Sequence, residues 1–191
     1  MNFRLKNSID EHRECFRKLV ELSEIIEDAA DRLIACTRGQ GKLMICGNGG
    51  SAADAQHFAA EIVGRFQQNR QALPAIALTT DTSTLTAVGN DSGFDRIFSR
   101  QVEALGNPGD TLIALSTSGT SRNVLQAVEA AQGKQISTIA LTGVNGVQLS
   151  AMVDVAIRVP SQSTPRIQEA HGFILHFWAE SIEAALLKGV S

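Results

Sequence analysis

Two histidines, a glutamate and a run of hydroxyls are the side chains best equipped for chemistry in this sequence. His57 and Glu61 stand four apart in a segment of helical character, which puts them on one helix face about 6 Å apart along the axis. At that spacing an imidazole and a carboxylate can ligate one divalent ion, act as an acid–base couple, or form an ordinary surface pair. Gln168 and His176 lie eight residues apart further on, ~12 Å along a helix and roughly 80° around it. To serve one ion they must lean together, or a second subunit must complete the site. His171 sits roughly 140° from His176 and is expected to pack or bond locally, while Glu169 stays undecided on residue type.

Two loops carry the chemistry of anion binding. Gly47-Asn48-Gly49-Gly50-Ser51 runs from an apolar strand into a helix. Its glycines permit close backbone approach, and a helix start offers free amides and a positive dipole end; a tight turn that needs glycine is the competing reading. The spacing is not that of a dinucleotide fingerprint, because G-x-G-x-x-G and an acidic residue after a second strand are both absent. Ser116-Thr117-Ser118-Gly119-Thr120-Ser121 carries five hydroxyls on six residues at another helix start. An N-cap needs one hydroxyl, so the surplus points to a phosphate held by O–H and N–H donors. Without a lysine it is no nucleotide P-loop. Asn90 and Asp91, in Gly89-Asn90-Asp91-Ser92-Gly93, have the chemistry for sugar hydroxyls but read first as a turn.

The elements that must position these residues alternate. Ser8-Ile9-Asp10-Glu11 reads as a capping box opening a first helix, which breaks near Ser23 and ends at Gly39 and Gly41. Short apolar strands are expected at Leu43–Cys46, Ala75–Leu78, Thr111–Leu115, Ser137–Leu141 and Val155–Val159. Helices are expected between them, one of them over about Ala52–Arg65, and a long one at Thr164–Leu187. Strands that are apolar throughout and alternate with helices indicate an α/β fold, a parallel sheet covered on both faces. One domain over 1–191 is expected, with a helical segment at 1–40 and a closing helix at 164–188. Phe173, Ile174, Phe177, Trp178 and Ile182 make the last helix apolar on several sides, as at a helical oligomer interface.

Bulk composition narrows the class of function. At 191 residues with 43% hydrophobic and 19% charged side chains, the chain has the make-up of a globular domain with a real core. Seventeen basic against twenty acidic residues lack the basic surplus of a dedicated nucleic-acid binder. Cys15, Cys36 and Cys46 are odd in number and widely spaced, as buried thiols in a reducing compartment are. No signal-peptide core follows Met1 and no apolar run reaches membrane-spanning length, so the cytoplasm is the expected location.

Together, Cys46-Gly-Asn-Gly-Gly-Ser51, Asp54-Ala-Gln-His57-Phe58, Ser116-Thr-Ser-Gly119 and Arg166-Ile-Gln168-Glu169 resemble the phosphoheptose isomerases of the sugar isomerase (SIS) superfamily, in order and across essentially the whole chain. The resemblance implies a three-layer sandwich with a five-stranded parallel sheet, flavodoxin-like in its winding, and a homotetramer with active sites between subunits. It implies interconversion of sedoheptulose 7-phosphate and D-glycero-D-manno-heptose 7-phosphate, the first step towards ADP- or GDP-heptose and lipopolysaccharide. By position, Ser116, Thr117, Ser118 and Ser121 would hold phosphate, and Asn48, Gly49, Gly50, Asn90 and Asp91 the sugar. His57, Glu61, Gln168 and His176 resemble the ligands of one zinc per subunit, with Gln168 and Glu61 also touching substrate. Glu61 is then expected as catalytic base and His176 as acid. Pro165 departs from relatives that carry an acid there. Two other readings share the fold: a DnaA-associating adaptor of replication initiation, which lacks counterparts of Glu61 and His176, and a phosphosugar-binding module without chemistry.

Overall fold

A computed structural model describes residues 3–187; Met1, Asn2 and 188–191, the outer ends of the expected domain and of its closing helix, lie outside them. The chain runs α1 (Phe3–Leu19), a 3-10 turn (Val20–Leu22), α2 (Ser23–Arg38), β1 (Leu43–Gly47), α3 (Gly50–Val63), β2 (Ala75–Ala77) and α4 (Thr82–Ser92). A second 3-10 turn (Phe94–Arg96) leads to α5 (Ser99–Leu105), β3 (Thr111–Ser116), α6 (Arg122–Gly133), β4 (Ser137–Gly143), α7 (Val147–Ser150), β5 (Val155–Val159) and α8 (Thr164–Leu187).

The five strands form one parallel sheet in the order β2-β1-β3-β4-β5. Alternate side chains of each strand point to opposite faces. Leu43, Ile45, Ile113 and Leu115 therefore enter the core beneath α2, α3 and α8. Met44, Cys46, Leu112 and Ala114 enter the core shared with α5 and α6. Both faces being covered explains why β1 and β3 are buried at every position. The three-layer sandwich expected from the sequence is the fold observed.

The chain leaves β1 for β2 on one side and later places β3 on the other. This reversal opens a crevice beyond the carboxyl ends of β1 and β3, where open α/β sheets bind ligands. The glycine and serine loops emerge there. On the β1 side, α8 spans the layer of α3 and α2, anchored by the fully buried Trp178, whose Nε1 donates to the Ile26 carbonyl at 3.0 Å.

Three local expectations are corrected. Ser8 opens no helix, since α1 already runs from Phe3; its hydroxyl instead accepts from Arg166 Nη1 at 2.6 Å, tying α1 to α8. Asn90 and Asp91 belong to the last turn of α4 rather than to a free turn, which begins at Gly93. The short helix α7 went unforeseen because four residues are too few to show a helical period. The break near Ser23 falls at the 3-10 turn, as expected. All three cysteines are free and buried. Burial pushes the Cys46 thiol up to about 12, which keeps it protonated and inert.

Candidate active site

The glycine loop is shaped by contact. A β-carbon on Gly50 would fall 2.4 Å from Nε2 of Gln168, so only glycine lets the α8 amide lie over the start of α3. Asn48 is engaged from the other side. Its Nδ2 donates to Asn123 Oδ1 at 2.9 Å and its Oδ1 accepts from Asn123 Nδ2 at 2.8 Å. Asn123 is buried at the start of α6. This reciprocal amide pair fastens the glycine loop to the serine loop across the crevice. Asn123 escaped sequence reasoning because an asparagine in the first turn of a helix has no pattern that marks it as a lock.

In the serine loop, Gly119 takes φ +66 and approaches Gly146 so closely that a β-carbon would meet its Cα at 2.4 Å. Ser116 Oγ accepts from the Gly119 amide at 3.1 Å and lies 3.1 Å from Ser121 Oγ. Ser118 Oγ accepts from the amide and hydroxyl of Thr120 at 3.2 and 3.0 Å. Ser121 precedes α6 yet makes no side-chain cap bond, so the hydroxyls are not spent on capping and the first amides of α6 stay unclaimed by one. Thr117, Ser118 and Thr120 form one wall of a cleft of about 350 Å³. Asn145, Ser161 and Gln162, from the loops after β4 and β5, and Thr164, at the start of α8, form the other. These four were not foreseen; their signal was their place at strand carboxyl ends. Pro165 sits in the first turn of α8, where a missing N–H costs nothing.

The second cluster joins α3 to α8. His57 Nε2 lies 3.1 Å and His176 Nε2 3.4 Å from the same oxygen, Glu61 Oε1. The imidazoles meet edge to face at 5.1 Å between centroids. The three ligand atoms lie within 4.8 Å of one another, as for donors around one ion. Glu61 Oε2 is buried with no hydrogen-bond partner among the described residues. A carboxylate left so exposed in charge, beside two imidazole nitrogens, fits a bound divalent cation better than a closed hydrogen-bond network. About two turns before Glu61 on the same helix, Asp54 Oδ2 is likewise buried and without a partner among the described residues; burial lifts its carboxyl above the ordinary range, against the pull of His57.

Of the expected site residues, His57, Glu61 and His176 come together, Gln168 joins the glycine loop, and Thr117 and Ser118 line the cleft, whereas Ser116 is buried and Ser121 is not part of the lining. Asn90 and Asp91 are exposed and bond to each other at 2.8 Å; among the described residues no hydrogen bond ties them to either cluster. His171 is fully buried in α8 and takes the packing role expected of it.

Residues 9–143 match the model of the SIS domain. The chain is 56% identical over 173 residues to a phosphoheptose isomerase of Rhodospirillum rubrum, covering 91% of this chain and 92% of that one. It is 51% identical to that of Geobacter metallireducens over 98% of this chain and 100% of the relative. The solved phosphoheptose isomerase of Neisseria gonorrhoeae superposes with a TM-score of 0.90 at 46% identity, over 95% of this chain and 97% of that one. The NanR protein of Vibrio vulnificus, in complex with ManNAc-6P, shares the fold at a TM-score of 0.62 and 16% identity. By fold and by identity over nearly its full length, the chain belongs to the phosphoheptose isomerases of the SIS-domain family.

Proposed function

We propose that the chain interconverts sedoheptulose 7-phosphate and D-glycero-D-manno-heptose 7-phosphate through an enediol. The observation that carries this reading is the convergence of His57, Glu61 and His176 on one carboxylate oxygen, on helices that also border the glycine loop. The serine-loop hydroxyls of Ser116, Thr117, Ser118 and Ser121 suit the phosphate end of an open-chain sugar. Asn48, Gly49, Gly50 and Gln168 would line its path, with Asn90 and Asp91 reaching it only from the far end of α4.

From the ketose, Glu61 takes a C1 proton at Oε1 while His176 donates one to the C2 oxygen. Protonation at C2, with loss of the O1 proton, then gives the aldose. His57 shares Oε1 and holds the carboxylate in place. Zinc, one ion per subunit, fits a donor set of two imidazoles and a carboxylate, with Gln168 as a further donor; when bound it polarises the sugar oxygens as a Lewis acid.

Among the described residues no helix is long and apolar enough to cross a membrane, in keeping with a cytoplasmic enzyme feeding ADP- or GDP-heptose and lipopolysaccharide synthesis. An apolar groove of about 280 Å³ between α1, α2 and α8, walled by Phe16, Val20, Phe173 and Phe177, supports assembly as a homotetramer.

Incubation with sedoheptulose 7-phosphate, followed by NMR for the aldose, tests the reading. Glu61→Gln and His176→Gln should each lose about 100- to 10,000-fold in kcat with unchanged circular dichroism. Near-normal rates would refute the roles assigned. A folded wild type that binds the sugar without converting it would favour a phosphosugar-binding module, and one that binds DnaA instead would favour the replication adaptor.

A further inference from the structure

Downstream of α3 the chain turns through residues 64–73 before β2, and an unusual share of buried charge is spent on that turn. Glu183, 3% exposed on α8, accepts from three successive amides: Phe66 at 3.1 Å, Gln67 at 2.8 Å and Gln68 at 2.7 Å. The side chain of Arg70 is 3% exposed and places Nε 3.4 Å from Glu183 Oε1. Its Nη2 donates to the Glu61 carbonyl at 2.7 Å, and its Nη1 to the carbonyls of Ile62 and Gln71, each at 2.9 Å. The pair thus fixes the end of α3 at Glu61 and the backbone of Phe66 to one rigid point on α8. Phe66 uses that anchorage in one way: its ring stacks on His176, with centroids 5.7 Å apart and planes 29° from parallel.

Burying a carboxylate and a guanidinium costs several kcal/mol unless every donor and acceptor is met, so the arrangement is a poor way merely to close a loop. It is a good way to fix a ring. An imidazole on an exposed helix face has free rotation about two bonds, and His176 is 47% exposed. One flat neighbour restricts it to the orientation in which Nε2 faces Glu61 Oε1.

We propose that Phe66, held by the Arg70–Glu183 pair, is a positioning residue that sets the ring of His176 for metal and proton transfer. The inference rests on the metal-site reading given above. It makes the turn after α3 part of the active centre through the ring that Phe66 lays on His176.

The test is metal affinity of the metal-free full-length protein, measured with zinc against a chromophoric chelator, alongside kcat and KM. Phe66→Ala should weaken zinc binding by about 10- to 100-fold, lower kcat more than it raises KM, and leave far-ultraviolet circular dichroism unchanged. Phe66→Tyr, which keeps the flat ring, should restore both. Glu183→Gln, assayed well below its melting temperature, should mimic Phe66→Ala in zinc affinity. Wild-type zinc affinity in Phe66→Ala would overturn the proposal while leaving the metal site standing. Failure of the wild type itself to bind zinc would overturn the metal site and this inference together.

Discussion

Glu61 offers one oxygen to two imidazoles and buries the other without a donor. An acid–base group in that position is costly for stability and useful for chemistry, and the cost falls on a single residue. The Asn48–Asn123 pair is the opposite case, since both amides satisfy each other. Asn123→Ala should leave the half-buried Asn48 amide without its partner and destabilise the chain by about 1 kcal/mol in urea unfolding, with a raised KM. Unchanged stability and KM would show that the loops hold themselves. Ser121→Ala removes a hydroxyl that caps nothing. With only its bond from Ser116 Oγ lost, it should lower stability by no more than about 1 kcal/mol while weakening competitive inhibition by inorganic phosphate ~10-fold. The serine run was legible in the sequence because five hydroxyls exceed what a cap needs, whereas His57 and Glu61 could as well have been an ordinary surface pair until the motifs were read together. Asn123 and Phe66 were not legible, because their roles arise from partners far away in the chain.

At the scale of elements, α8 carries most of the load. It supplies Gln168 to the glycine loop, His176 to the acid–base cluster, Glu183 to the turn after α3 and Trp178 to the core. It also buries His171, whose ring nitrogens have no hydrogen-bond partner among the described residues. Burial drives that imidazole down to about 4 from 6.5, against a smaller opposing pull from the Thr142 backbone. Between those values the unfolded chain binds a proton that the folded one excludes. Stability should thus fall by up to ~3 kcal/mol as pH drops through that window. His171→Leu should flatten that part of the profile, as read by urea unfolding at pH 7 and pH 4.5; an unchanged slope would assign it to other groups. The strands and α8 were readable from apolar runs and periodicity, and their ends moved by only a residue or two. The capping box at Ser8 misled because a serine followed by a glutamate is equally at home inside a helix whose flank meets Arg166.

For the whole molecule, the sheet order β2-β1-β3-β4-β5 matters more than any one loop. It brings the ends of β1 and β3 side by side, which under the proposed function lets the serine loop and the His57–Glu61–His176 cluster serve one extended sugar. Sequence alternation predicted the parallel sheet but not this order, which is set by packing between segments distant in the chain. The apolar groove at Phe173 and Phe177 lies on the outer side of the same helix that carries His176. Phe173→Asp, at a position 51% exposed in the single chain, should shift the proposed tetramer towards smaller species in light scattering without unfolding it. An unaltered mass would place the interface elsewhere. The most direct test remains turnover itself: purified chain, sedoheptulose 7-phosphate, and NMR detection of the aldose for wild type and Glu61→Gln side by side. Steady conversion by the wild type and its near-complete loss in a folded Glu61→Gln are the predicted results. Equal conversion by both proteins would contradict the account.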